Sequence, residues 1–241
     1  MKKIIIDFIQ GVRNLFARFG SYQQKSPYVV MIALALVIVI VGINLFVELT
    51  AQLKTETLSN YDHQITQFII SYRNPVLTQY FKIVTEVGDV HGYLIVLGIS
   101  VILSAFIFKK WKYIAQISLV LLLATLSNVM LKRFIDRARP GIEHLVVVKT
   151  LSYPSGHAMS AMAFYGFLIY LVYRIKMNKF LKTALYLFLV LLILSIGISR
   201  IYLGVHFPSD IAGGFIAGLI WVVFCILIFN LVEVFRKDPL T

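Results

Sequence analysis

YVVMIALALVIVIVGINLFV, residues 28–47, runs for twenty positions without an Asp, Glu, Lys or Arg. The hydrocarbon core of a bilayer takes about 20 apolar residues of helix, so this one stretch puts the chain in a membrane. Five further stretches also lack all four charged residue types: 90–108, 113–131, 158–173, 183–199 and 211–232. Only helices and closed barrels satisfy their backbone in lipid, and none of these runs alternates polar with apolar as a barrel strand does. The expected fold is therefore all-α, a six-helix transmembrane bundle. The runs at 158–173 and 183–199 are slightly short for a span. That implies that polar residues at their ends belong to the working structure.

Composition agrees. Of 241 residues, 59% are hydrophobic and 14% are charged, against roughly 25% charged in a soluble domain. Mean hydropathy is +0.85. Disorder, a secreted disulfide scaffold and a soluble nucleic-acid binder are excluded on these grounds. Cys225, the one cysteine, stands in an apolar run without a partner and says nothing about redox compartment.

The net charge of +12 is spread unevenly. Six spans put both termini on one side, together with the segments 109–112 and 174–182. That side holds 14 of the 23 basic residues and, of the acids, only Asp7, Glu233 and Asp238. The positive-inside rule then makes the termini cytoplasmic in a multi-pass cell-membrane protein. Most of the excess charge is thus an orientation signal, and the outer face is close to neutral.

Two segments outside the spans have amphipathic helical spacing. In residues 1–26, Ile5, Phe8, Ile9, Val12, Leu15, Phe16 and Phe19 share one face, as in a helix lying on the inner surface. Asp7 and Arg13 interrupt it, so it is not a cleavable signal peptide. In the outer segment, Tyr61, Ile65, Phe68, Ile69 and Tyr72 repeat the pattern until Asn74-Pro75 breaks it. Interfacial amphipathic helices are expected in both places. There is no internal repeat, and residues 1–241 read as a single domain.

Three polar clusters fall at the outer ends of the spans, where polar groups are costly and usually have a reason. They are Lys132-Arg133-Phe134-Ile135-Asp136-Arg137-Ala138-Arg139-Pro140, then Pro154-Ser155-Gly156-His157, then the stretch from Ser199-Arg200 to His206 and Asp210. Each has a plain structural reading: snorkelling cations, a helix start, a cap around Pro208. Their co-occurrence on one face favours chemistry. A phosphate ester needs fixed positive charge around its nonbridging oxygens, which Lys132, Arg139 and Arg200 can supply. Ser155 and Gly156 stand where free N–H groups at a helix start would bind an anion. His206 and Asp210 are four apart, so the carboxylate can hold one ring nitrogen and leave the other as a nucleophile. His157 remains to protonate a leaving alkoxide. Free histidine titrates near about 6.5, so a bell-shaped pH profile is expected. The outer carboxylates are scattered among cations, which offers no metal cage, and there is no Walker A signature for ATP.

Taken together, the clusters resemble the signature of the type 2 phosphatidic acid phosphatase family, the integral-membrane lipid phosphate phosphatases. Lys132 is followed after six residues by Arg139-Pro140. Pro154-Ser155-Gly156-His157 comes next. Ser199-Arg200 is then followed after five residues by His206 and after three more by Asp210. All positions match, in order, over residues 132–210, the expected catalytic region. The same signature occurs in soluble vanadium haloperoxidases, against which six spans argue.

The resemblance implies a metal-independent reaction without a cofactor. His206 would form a phosphohistidine, Asp210 would orient it, and His157 would act as acid and then as base. Lys132, Arg139, Arg200, Ser155 and Gly156 would bind the phosphate. The signature gives no role to Arg133, Asp136 or Arg137, nor to His63, His91 and His144. The expected substrate is a lipid phosphate, foremost phosphatidylglycerophosphate, with undecaprenyl pyrophosphate and phosphatidic acid as alternatives. Membrane lipids are the expected surroundings, with no nucleic acid and no obligate protein partner. A small transporter or lipid-binding protein is the reading from another class. It would place charges inside the spans and show repeat symmetry.

Overall fold

The computed structural model describes residues 26–103, 111–148 and 150–236. The expected inner-surface helix within residues 1–26 lies almost wholly outside them. Eight helices make up the regular structure of the described residues. They are α1 (Ser26–Gln52), α2 (Glu56–Ile70), α3 (Pro75–Val87), α4 (Val90–Leu103), α5 (Lys112–Ile135), α6 (Gly156–Arg174), α7 (Lys179–Tyr202) and α8 (Pro208–Arg236).

Five of them, α1 and α5 to α8, are long and apolar enough to cross a membrane. The expected span over 90–108 begins as α4, described as far as Leu103, and α3 precedes it at a bend of 59°; together the pair is also long and apolar enough to cross. Gly88 closes α3, and Asp89 Oδ1 accepts a hydrogen bond from Val90 N at 2.7 Å where α4 begins. A carboxylate that satisfies a free N–H starts a new helix and interrupts the old one.

The bundle is organised around α6, which packs on α5, α7 and α8. α1 lies along α8, and α3 along α7. Half of the apolar stretch of α6 is buried inside the protein, against none of that of α1. A span surrounded by protein need not be apolar all round, so α6 is the least apolar of the five and α1 the most. Its buried residues include Met159, Phe164, Tyr165 and Phe167.

α6 and α8 approach closely. A Cβ at Gly218 would fall 2.5 Å from the Met159 carbonyl oxygen, and one at Gly214 would fall 2.8 Å from the Ser155 carbonyl oxygen. Small residues let membrane helices meet backbone to backbone.

The charge-free runs understate the helices because charged residues sit within their last or first turns. Lys132 and Arg133 end α5, Arg200 ends α7, and Asp210 lies in the first turn of α8. Cations at C-termini and anions at N-termini suit the helix dipole. The apparently short runs therefore become helices of 19 residues (α6) and 24 residues (α7).

On α2, Asp62 is 2% exposed and Thr66 is also buried, whereas Phe68 and Tyr61 are exposed together with polar neighbours such as Asn60, Gln64 and Gln67. A mixed aromatic and polar outer face suits the headgroup level of a membrane, and the buried acid points to a polar interior beneath it. Thr55 caps α2, and Asn74 with Pro75 starts α3.

Candidate active site

His206 sits in the turn between α7 and α8, and Asp210 one turn into α8; both are buried. His206 Nδ1 lies 3.3 Å from Asp210 Oδ2. The same oxygen accepts from Ser152 Oγ at 2.5 Å and from Phe207 N at 2.8 Å. On the far side of the ring, Nε2 is 3.3 Å from Arg139 Nη1. A guanidinium only donates, so Nε2 accepts, and the ring proton belongs on Nδ1, facing the carboxylate. Burial pushes the His206 pKa down to about 3, against the opposing hydrogen bond and charge of Asp210. The imidazole is therefore neutral at neutral pH, with the Nε2 lone pair aimed at the cations.

Those cations are held before any anion arrives. Lys132 Nζ donates to the Leu151 carbonyl at 2.6 Å and to Thr150 Oγ1 at 3.1 Å. Arg139 donates from Nε to the Thr150 carbonyl at 2.7 Å and from Nη1 to the Val205 carbonyl at 2.5 Å. Burial lowers the Arg139 pKa, partly offset by Asp210, yet a guanidinium stays charged. Arg200 donates from Nη1 to Thr85 Oγ1 at 2.6 Å, and its buried Nε has no hydrogen-bond partner. Asp136 makes the first of these placements possible. It ends α5 in the left-handed region, at φ 43°, and turns the chain back so that Arg139 meets Lys132.

Lys132, Arg139, Arg200, Gly156, His157 and His206 all line one cavity of about 290 Å³. Thr85, Glu86, Asp89 and Asn128 share its wall. One expected site residue stands elsewhere. Ser155 is fully buried, accepts from Ala158 N through its Oγ at 3.5 Å, and donates its N–H to the Asp210 carbonyl at 3.0 Å. It caps α6 and ties it to α8, while Gly156 faces the cavity. At Gly156 a Cβ would come 3.0 Å from Asn128 Oδ1.

Reading the sequence missed Arg137, Asp62, Ser152, Thr85, Glu86, Asp89 and Asn128. Arg137 has a place although the signature gives it none: it pairs with Asp210 at 2.6 Å and with Asp62 at 2.7 Å. The available signal was a buried-type acid on an otherwise lipid-facing helix, but nothing in the sequence joins it to a residue 75 positions away. His63 packs edge-on against Phe207, His144 contacts the Pro140 carbonyl, and His91 is exposed. None of the three lines the cavity. Among the described residues, no group of three or more His, Cys, Asp or Glu is arranged to hold a metal ion.

A second, mostly apolar cleft of about 480 Å³ lies between α4 and α5. Tyr93, Leu94, Leu97, Leu121 and Leu122 line it, and it shares Asp89, Asn128, Gly156 and His157 with the cationic cavity. The apolar cleft and the cationic cavity thus meet at shared wall residues.

Comparison with known proteins identifies the family. Phosphatidylglycerophosphatase B of Bacillus subtilis is 32% identical over 179 residues, covering 73% of this chain and 86% of that protein. The crystal structure of a transmembrane PAP2 type phosphatidylglycerolphosphate phosphatase from Bacillus subtilis superposes with a TM-score of 0.72 at 29% identity. That match covers 83% of this chain and 98% of the other. Aquifex aeolicus LpxE superposes with a TM-score of 0.54 at 26% identity, over 68% and 93% of the two chains. The PAP2 superfamily itself matches residues 93–233, a stretch that contains every cation and histidine of the cavity. The chain belongs to the PAP2 superfamily, as a multi-pass membrane lipid phosphatase.

Proposed function

We propose that the chain hydrolyses phosphatidylglycerophosphate to phosphatidylglycerol and inorganic phosphate, through a phosphohistidine on His206 and without a metal. The observation that carries this reading is the neutral His206 Nε2, backed by Asp210 and facing three cations around one cavity. Nε2 attacks phosphorus while the ester P–O bond breaks. His157 gives its proton to the departing lipid alkoxide. Lys132, Arg139 and Arg200 neutralise the nonbridging oxygens, and the α6 N-terminus at Gly156 adds its dipole. In the second half, His157 takes a proton from water, the water oxygen bonds to phosphorus, and the P–N bond breaks to release phosphate. Ser155 holds the helix start rather than the substrate.

The apolar cleft that joins the cavity suits acyl chains lying in the outer leaflet. The topology proposed with this reading has both termini in the cytoplasm and the site outside. Two features favour a phosphatidylglycerophosphate headgroup over a diphosphate. A relative 32% identical to this chain is a phosphatidylglycerophosphatase. Glu86 and Asp89 also line the cavity, where carboxylates accept hydrogen bonds from glycerol hydroxyls and repel the adjoining phosphate of a diphosphate more than a phosphodiester that glycerol keeps apart.

A substrate panel on the purified protein in EDTA tests the reading. The specificity constant for phosphatidylglycerophosphate should exceed those for phosphatidic acid and undecaprenyl pyrophosphate. Glu86→Gln should move the ratio about tenfold toward the diphosphate, the scale of one like-charge contact. A ranking headed by undecaprenyl pyrophosphate would assign the chain to that substrate instead.

A further inference from the structure

Arg137 is a cation beside the site that does not face the cavity. From Nη1 it donates to Asp210 Oδ1 at 2.6 Å and to Ser209 Oγ at 2.7 Å. From Nη2 it donates to Asp62 Oδ2 at 2.7 Å. Its guanidinium lies 4.5 Å over the Phe207 ring. Asp62, on α2, in turn accepts from Ser209 N at 2.9 Å and from Ser209 Oγ at 2.5 Å. Both carboxylates are buried, and the Arg137 side chain is 14% exposed. Two buried acids thus share one buried cation, immediately behind the histidine.

The two oxygens of Asp210 are divided between two tasks. Oδ2 receives His206 Nδ1–H, Ser152 and Phe207 N, and Oδ1 receives Arg137. A charged donor on the second oxygen, added to the donors on the first, fixes the rotation of the carboxylate about its Cβ–Cγ bond. Orientation alone would need only Arg137. The charge balance explains Asp62. When a neutral imidazole attacks phosphorus through Nε2, the ring becomes a cation, and Asp210 must oppose that charge. Arg137 by itself would cancel Asp210 and leave the ring facing a neutral pair. With Asp62 included, the group carries a net charge of −1, so a negative field at His206 is retained while the geometry is locked.

We propose that Arg137 and Asp62 form a positioning pair for the phosphoryl-transfer reaction. Arg137 orients Asp210, and Asp62 offsets the charge of Arg137 so that Asp210 can still stabilise the cationic phosphohistidine. Neither residue touches substrate. The pair also ties the interfacial helix α2 to the start of α8. The proposal rests on the phosphohistidine reading above.

The test uses the full-length protein in detergent. It compares His206→Ala, Asp62→Asn, Arg137→Gln, Arg137→Lys and the double variant D62N/R137Q, with steady-state kinetics on phosphatidylglycerophosphate and the amount of phosphoenzyme trapped by rapid quench. Asp62→Asn should lower kcat about ten- to a hundredfold with KM within about twofold, the range of coupling inside one charged network. Arg137→Lys keeps the charge, loses the fork, and should lower kcat about tenfold. The double variant restores a single negative charge at Asp210, so it should be several-fold faster than Asp62→Asn alone. A merely structural pair would give additive losses and no such recovery.

Removing one partner of a buried ion pair destabilises more than removing both. If Asp62→Asn and Arg137→Gln fail to fold, the double variant and the charge-conserving Arg137→Lys decide. The double variant should fold and keep measurable turnover, and Arg137→Lys should show the fall in kcat. A fall in Arg137→Gln confined to KM would make Arg137 a substrate-binding residue and overturn the proposal. Equal activity in wild type and Asp62→Asn would do the same. If His206→Ala kept full activity, the phosphohistidine reading itself would fail, which the other variants cannot imitate.

Discussion

At His206, burial and partnership pull in opposite directions, and burial wins. The ring is held neutral, with its pKa at about 3, although Asp210 lies 3.3 Å away. The expected loss of activity on acidification near 6.5 therefore does not come from this residue. Its sign for stability is definite. Above about 6.5, folded and unfolded chains both carry neutral imidazole at this position. As pH falls from there toward 3, the unfolded chain gains a proton that the folded one refuses, and the folded state loses stability. Thermal unfolding in detergent should show wild type losing stability between about pH 6.5 and 4 more steeply than His206→Gln. Parallel slopes would mean that the buried ring is charged. Asp210→Asn should cost on the order of 10⁴ in kcat, as loss of the acid partner does for other catalytic histidines. At this scale the sequence was most legible where spacing is local. His206 and Asp210 are four apart, and Ser155-Gly156-His157 are consecutive. Asp62 was not legible, because its partners are Arg137 and Ser209, 75 and 147 positions away.

Helices set how those residues meet. α6 supplies Gly156 and His157, α8 supplies Asp210, and α5 and α7 deliver Lys132 and Arg200 from their last turns. Charge-free runs located the long helices well, because lipid permits few charges within a span. They shortened α6 and α7, because the expected site residues Gly156, His157 and Arg200 are themselves helical. The run that begins at Val90 carries no sign of the 59° bend to α3 before it, although Gly88-Asp89 is a fair local signal for a helix stop followed by a cap. The α6–α8 seam offers a direct test of positioning. Gly218→Val would drive a branched side chain into the Met159 backbone and separate His157 from Asp210. Overpacking of this kind costs about 1–3 kcal/mol. It should lower the unfolding temperature and reduce turnover together. Gly98→Ala, with nothing within 4 Å of the added carbon, should leave both unchanged.

Across the whole molecule, lipid decides what is exposed. α1 turns apolar residues outward along its length, and α2 presents Phe68 and Tyr61 over a buried Asp62. An acidic interior beneath a mixed aromatic and polar exterior suits a helix at the headgroup level of a bilayer. The net charge of +12, which at first resembles the mark of an anionic partner, instead lies mostly on one proposed side. The three cations around the phosphate cavity account for little of it. Orientation has its own test. Gly141 lies in an exposed loop with open space around it. Gly141→Cys should react with an impermeant thiol reagent from outside intact cells, against a low background from the buried Cys225. Labelling only after lysis would invert the topology.

The central claim is a covalent phosphate on one particular nitrogen. The most direct measurement mixes purified protein with phosphate-labelled phosphatidylglycerophosphate in EDTA, quenches within the first turnover, and locates the label by peptide mass spectrometry. The account predicts label on the imidazole of His206, none in His206→Ala, and chemistry undiminished by the chelator. Label on another residue, or rapid phosphate release by His206→Ala with no covalent species, would contradict it.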